Sequence, residues 1–155
     1  MAFTAKSGTR GGRRPGGVFM RLFNRHTAKR IRGGSAGSMG LDSLLLITVG
    51  SKTGQRRETP VGRFAAPGGG WYIVASANGA RQNPSWYHNL AAHPNDVRIV
   101  VEGRETAVHA EQLAGEERAR VWQDVCAEQP RFAKYAAKTD REIPIIRLNP
   151  VASGT

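Results

Sequence analysis

The chain is poor in cysteine, in long apolar runs and, over its first 32 residues, in acidic side chains. Cys126 is the single cysteine, which excludes an internal disulfide and a cysteine-based metal cluster and fits a reducing cytoplasm. No stretch approaches the roughly 20 apolar residues of a membrane-spanning helix. The basic start is not followed by the apolar segment of about 7–15 residues that a secretory signal needs. His26, His88, His93 and His109 are scattered, with no pair at metal-ligand spacing on one helix and no carboxylates clustered with them. Surface or core histidines are the expectation, and no metal site is expected. No repeat recurs along the 155 residues, a length that suits one folded domain.

What is present is a lopsided charge. Nine Lys and Arg side chains fall in residues 1–32 with no Asp or Glu, which leaves only +2 of the formal +11 for everything that follows. Such basicity ordinarily points to nucleic acid, but here it belongs to an extension, and the rest lacks the basic stripes interleaved with aromatics that strand binding uses. Residues 1–17, rich in Gly and Arg, have too little apolar surface to offset their ordering entropy and are expected to be disordered. Val18, Phe19, Leu22 and Phe23 then share one face of a short helix, with Arg21, Arg25 and Arg32 opposite. Gly33–Ser38 reads as a flexible hinge. The division expected is a basic arm over 1–38, one domain over 39–150 and a tail over 151–155.

Past Leu41 the period shortens. The run Leu44–Val49, closed by Gly50, predicts a strand buried on both faces. Further strands are expected near 58–66, 71–76, 97–102, 106–110 and 143–148, joined by Gly- and Pro-rich turns. Asn83 followed by Pro84 predicts a helix with Asn as cap and Pro at its first position, ending near His93. Glu116–Glu128 carries acidic residues in its first turn and an apolar face of Val121, Trp122, Val125 and Cys126. A shorter helix follows Pro130. About six mostly antiparallel strands with three to four packed helices predict a mainly β (α+β) fold, a small barrel.

Two catalytic patterns are present only in form. Gly33-Gly34-Ser35-Ala36-Gly37 fits a nucleophile motif but lies in the hinge, not between a strand and a helix. Gly50-Ser51-Lys52-Thr53-Gly54 lacks the glycine that must directly precede the lysine of a nucleotide-binding loop. An enzyme without nucleophile, metal or acid pair needs a bound cofactor for the difficult step. The turn Ser51-Lys52-Thr53-Gly54-Gln55-Arg56-Arg57 reads equally as a solvated hairpin tip or as a cradle for a phosphorylated cofactor tail. Ala75–Ala80 is a loop of small residues ahead of the helix, able to let a flat ring approach the backbone; Trp86 reads as core more than as a stacking partner.

Taken together, Gly-Ser-Lys-Thr-Gly-Gln-x-Arg at 50–57, Pro60, Ala75-Ser76, Asn83-Pro84-x-Trp86-Tyr87-x-Asn89-Leu90 and Asp140-Arg141-x-Ile143-Pro144 resemble the deazaflavin-dependent nitroreductase and quinone reductase family. These actinobacterial enzymes use reduced 8-hydroxy-5-deazaflavin, coenzyme F420. The resemblance, over roughly residues 40–150, implies a split β-barrel. It places the coenzyme's anionic tail at Ser51, Lys52, Thr53 and Arg57, the strand at Pro60 and Val61 beside it, and the ring along Val74, Ala75, Ser76 and Ala77 with Ser85, Trp86, Tyr87 and Asn89 around it. Phe132, Tyr135 and Gln129 match positions that cover the family's substrate pocket, and Ser76 and Tyr135 are the side chains implied in catalysis. The pocket departs from the best-known member, which has tyrosine in place of Gln129, Phe132 and Gly62 and lysine in place of Ala77.

The implied activity is hydride transfer from the reduced deazaflavin to a quinone, menaquinone among them, then to enones or nitroaromatics. The basic arm over 1–32 suits an anionic membrane surface where lipid quinones reside, giving a cytoplasmic protein held peripherally on the inner face. An FMN-dependent enzyme on the same barrel, a non-catalytic deazaflavin carrier and a nucleic-acid-binding protein are the other classes the residues leave open.

Overall fold

Alternation along one strand explains most of the architecture. In the computed structural model, which describes residues 3–12, 17–34, 37–38 and 41–151 (17–23 and 37–38 by backbone alone), the run at 44–49 lies in strand β2 (Leu41–Val49). Leu44 and Leu46 point into the barrel against Ile73, Ile99 and Leu148. Leu45 and Ile47 point outward and are covered by Ala28 and Ile31 of helix α1 (Gly17–Arg32). A strand with both faces apolar therefore has a lid on its outer side, and the buried Ile31 side chain contributes about 2–3 kcal/mol to holding it.

Strands β1 (Gly37–Ser38), β3 (Arg56–Gly62), β4 (Phe64–Ala65), β5 (Trp71–Val74), β6 (Val97–Val101), β7 (Arg104–Gln112) and β8 (Ile145–Pro150) complete the sheet. Its order is β3-β2-β6-β7-β8-β5-β4, with β1 on the start of β2 and every pairing antiparallel. β3 and β4 are nearly one bent strand, so the two ends of the order meet at a corner. Arg63 ties that corner: its backbone N–H donates to Asp42 O (2.8 Å), its Nε to Ser43 O (3.0 Å), and its guanidinium lies 4.7 Å from the Trp71 ring. Glu102 (φ 49°) and Gly103 (φ 86°) form the β6–β7 turn, left-handed at both positions as a two-residue hairpin in a twisted sheet requires. The split-barrel expectation is borne out, with the two-residue β1 and β4 added.

Helices α2 (Ser85–Ala92), α3 (Gly115–Glu128) and α4 (Arg131–Lys138) fall close to the expected positions. The cap of α2 is corrected: Pro84, not Asn83, occupies it, because Asn83 Oδ1 accepts from Arg141 Nη1 at 2.9 Å. Val121 and Val125 of α3 and Phe132 of α4 close a second core with Phe64, Val74 and Ile145.

Two expectations about the arm change. Residues 3–12 lie against the barrel instead of being disordered. Ala5 N–H donates to Tyr87 Oη (2.9 Å), Gly8 N–H to Arg81 O (2.6 Å), and the Thr9 and Arg10 N–H groups to Asp140 Oδ1 (2.7 and 2.9 Å). These are mostly polar contacts, which an argument from apolar content does not register. The last turns of α1 likewise dock, with Thr27, Ala28 and Ile31 buried while Arg25, His26, Lys29 and Arg30 stay exposed. Arg32 pairs with Glu58 (2.7 Å) and Glu105 (3.7 Å). The apolar face expected at Val18, Phe19, Leu22 and Phe23 lies outside the described side chains, as do residues 13–16, 35–36 and 152–155. No helix among the described residues is long and apolar enough to cross a membrane.

Candidate active site

The β2–β3 hairpin turns through the cationic bend. Gly50 N–H donates to Gln55 O (2.7 Å), Gly54 N–H to Gly50 O (2.9 Å) and Gln55 N–H to Thr53 Oγ1 (3.2 Å). A Cβ at Gly50 would come within 2.7 Å of Thr53 Oγ1 and 3.3 Å of Gln55 O, so a larger residue there would displace the hydroxyl that accepts the Gln55 N–H. Asn89 fixes it from α2, accepting the Ser51 N–H at 3.0 Å in a half-buried bond and donating to Thr48 Oγ1 at 3.1 Å in a buried one. Most of the bend's amides are thus committed within the protein. The donors left for an anion are the Lys52 and Thr53 amides, the Ser51 and Thr53 hydroxyls, the Lys52 ammonium and the Arg57 guanidinium.

Beneath the bend is a cavity of about 690 Å³, lined by Ser51, Lys52, Thr53, Arg57, Glu58, Thr59, Ser85, Trp86 and Asn89 together with Ser7, Gln82 and His88. The Glu58 carboxylate is paired with Arg32 (2.7 Å) and Arg56 (3.3 Å), which leaves the balance cationic. A second cavity of about 610 Å³ continues from it. Pro60, Val61, Val74, Ser76, Ala77, Trp86, Phe132 and Tyr135 line it, with Asn24 of α1, Leu41, Asn78 and Arg131. Thr59, Ser85 and Trp86 belong to both walls, so the two form one cleft with a cationic end and an aromatic end.

The floor of the aromatic end is held under strain. Ala77 (φ 45°), Asn78 (φ 55°) and Gly79 (φ 81°) are left-handed in succession, which costs a non-glycine residue about 1–2 kcal/mol. Buried Arg141 stabilises the loop by donating to Ala75 O (3.1 Å), Ser76 O (2.7 Å), Ala80 O (2.8 Å) and Asn83 Oδ1 (2.9 Å). Burial lowers its pKa below the ordinary guanidinium value, yet the group stays cationic among the four oxygens that accept from it. Gly79 lies directly on α4: a Cβ there would be 2.8 Å from Tyr135 O and 3.0 Å from Lys138 Cβ. On α4, the Phe132 ring meets Phe64 and Tyr135 edge-on, each at 5.6 Å between centroids.

Of the residues named from sequence, three stand apart from the cleft. Ala75 is fully buried beneath its floor. Tyr87 faces the other way, its hydroxyl donating to Gln112 Oε1 at 2.6 Å and accepting from Ala5 N–H, and burial raises its pKa above the ordinary 10.0 despite that N–H. Gln129 ends α3 and lines neither cavity. Trp86, read as core, serves both purposes, packing inward and forming the shared wall. Ser7, Asn24, Asn78, Gln82, His88, Arg131 and Arg141 were missed. Only Arg141 had a signal, the Asp-Arg-x-Ile-Pro string, and its partners lie some sixty residues away in sequence. Among the described residues no group of three or more His, Cys, Asp or Glu is placed to hold a metal.

A family model described as F420H(2)-dependent quinone reductase matches residues 20–150. An F420H(2)-dependent quinone reductase of Mycobacterium tuberculosis is 41% identical over 109 residues, 68% of this chain and 72% of that protein. The solved structure of an F420-H2 dependent reductase superposes with a TM-score of 0.62 at 34% identity, covering 69% of this chain and 93% of the other. HutZ, a haem storage protein of Vibrio cholerae, superposes at 0.54 with 16% identity over 81% of this chain and 88% of its own, a likeness of fold alone. The donors of the bend, the flat wall beside it and the match across nearly the whole barrel agree, and the chain belongs to the F420H(2)-dependent quinone reductase family.

Proposed function

We propose that this chain binds coenzyme F420 along the cleft, tail at the cationic end and ring against Val74, Ser76 and Trp86, and reduces quinone-type acceptors seated against Phe132 and Tyr135. The observation that carries this is the wall common to both cavities, formed by Thr59, Ser85 and Trp86. When bound in its reduced form, the coenzyme supplies both electrons as a hydride to an electron-poor acceptor.

The rest of the work belongs to the protein. Lys52 and Arg57 neutralise the anionic tail, each charge-assisted hydrogen bond contributing about 1.5–3 kcal/mol. Asn89 keeps the bend closed so that those donors are preset, and Arg141 does the same for the loop bearing Ser76. The small side chains of Ala77 and Gly62 leave room for a flat guest. Phe132 and Leu41 exclude water from the contact between donor and acceptor, where orientation contributes most to the rate. A quinone that receives a hydride needs one further proton to become the quinol. The Ser76 and Tyr135 hydroxyls, both lining the acceptor cavity, relay it from solvent.

Titrating the protein side by side with oxidised deazaflavin coenzyme, FMN and NADPH tests the assignment. Tight binding of the deazaflavin alone, followed by its oxidation when a quinone is added to the reduced complex, is expected. Preferential FMN binding would make it a flavin enzyme of the same barrel, and binding without turnover would make it a carrier.

The same helix that contributes Asn24 to the acceptor cavity exposes Arg25, Lys29 and Arg30. Near an anionic leaflet each such cation contributes about 1 kcal/mol, so α1 would bring the acceptor end of the cleft towards lipid-dissolved quinones. Sedimentation with anionic vesicles should fall sharply in an Arg25→Glu/Lys29→Glu/Arg30→Glu variant; equal sedimentation would remove the membrane from this account.

A further inference from the structure

The region shared with the family begins at residue 20, yet the cationic cavity has a wall residue that precedes it. Ser7 borders the same space as Lys52, Arg57 and Gln82. Its position is fixed from both sides. Upstream, Ala5 N–H is bonded to Tyr87 Oη (2.9 Å), and the Phe3 ring meets Tyr87 edge-on at 5.7 Å. Downstream, Gly8 N–H donates to Arg81 O (2.6 Å) and Arg81 N–H donates back to Gly12 O (3.1 Å). Arg81 belongs to the loop that carries Ser76 into the cleft.

Asp140 is the anchor of this segment. Its Oδ1 accepts from the Thr9 and Arg10 N–H groups at 2.7 and 2.9 Å, and its Oδ2 from the Thr9 hydroxyl. The Arg10 guanidinium reaches over the end of α4 to Ala137 O at 3.0 Å. The next residue, Arg141, clamps the loop from the other side, so one dipeptide fixes both the loop and the segment laid across it. Between these anchors the segment spans a third cavity of about 510 Å³, so polar bonds rather than apolar packing supply most of its attachment.

We infer that residues 3–12 form a strap which completes the coenzyme cleft, Ser7 donating a hydrogen bond to an anionic group of the coenzyme's tail and Asp140 acting as the positioning residue. The inference rests on the coenzyme assignment above. A hydroxyl lining the same cavity as Lys52 and Arg57 adds a neutral donor to the tail's site, and a strap laid along that cavity slows release.

Gly8→Val offers a test that alters no barrel residue. A Cβ at position 8 would collide with Asp140 Oδ1 and lie 3.0 Å from Arg141 N and 3.1 Å from Arg141 Cβ, which lifts the strap. In the full chain, binding of oxidised coenzyme F420, followed by fluorescence, should weaken about tenfold for Gly8→Val and about fivefold for Ser7→Ala, the scale of one lost hydrogen bond. Binding of the same deazaflavin lacking its phosphorylated tail should match the parent in both variants. Unchanged affinity for the intact coenzyme overturns the strap's role, and so does equal weakening for both ligands, since a merely structural contact affects both. A parent chain that binds neither ligand overturns the coenzyme assignment itself and the strap's role with it.

Discussion

The two ends of the cleft are held by different means. The cations of the cationic end sit on a single hairpin turn, closed by its own backbone and by one buried side chain from a neighbouring helix, Asn89. The aromatic end is gathered from α1, β2, β3, β5, the 76–79 loop and α4, and its strained loop keeps its shape through a guanidinium contributed from far along the sequence. A grip on a charged tail requires a few fixed donors, which local structure provides. A surface that must bring two flat partners together has to be assembled from many elements, and long-range bonds set its geometry.

That contrast is open to direct challenge. The largest effect is expected from Arg141→Ala, which strips three backbone carbonyls and Asn83 of their buried donor. Thermal or urea unfolding should show a loss of at least about 3 kcal/mol, with Arg141→Lys recovering only part because an ammonium cannot reproduce the fork. Arg57→Glu should do the opposite, leaving the melting temperature near the parent's while coenzyme affinity falls about a hundredfold through one lost charge-assisted bond and added repulsion. If Arg57→Glu destabilised the fold, or Arg141→Ala left it intact, the two ends would not be built as described. Ser76→Ala should lower turnover about tenfold with coenzyme affinity intact, measured by steady-state rates beside equilibrium titration; an unchanged rate would take its hydroxyl out of the proton relay.

The smallest effect concerns the strap. The Thr9 hydroxyl above all, then the Arg10 N–H, holds the Asp140 carboxyl at about 2, down from 3.8. A depressed carboxylate contributes its hold fully above its unfolded pKa and loses it as the pH falls through the folded value. Amide resonances of Thr9 and Arg10 should therefore stay constant above pH 3.8 and shift as the pH is lowered towards 2. Asp140→Asn should abolish that titration.

The same contrast governs what could be read from the chain alone. The bend at 50–57 is contiguous, so its glycines, hydroxyls and cations are enough by themselves to announce a tight cradle for an anion. The strand at 44–49 announces that both its faces are covered, though not that α1 covers the outer one, because an amphipathic basic helix suits a membrane surface equally well. Asn83 carries every mark of a helix cap; its side chain is instead taken by Arg141, a partner no local pattern identifies. Tyr87 and Gln129 lie near cleft residues in sequence but face elsewhere, since adjacent positions on a helix point in different directions. Polar anchoring of a glycine-rich segment leaves no trace in apolar content, which is why residues 3–12 read as disordered.

Helix α4 has a consequence of its own. Two aromatic side chains of the aromatic end, Phe132 and Tyr135, and the nearby cation Arg131 sit on one eight-residue helix, whereas the cationic end draws nothing from it. On the function proposed above, drift in those few positions would retune which oxidant is admitted without disturbing the hold on the electron source. A lineage can thus diversify its chemistry by editing a single replaceable cassette on an unaltered chassis, and transplanting 131–138 between relatives should carry oxidant preference along with it.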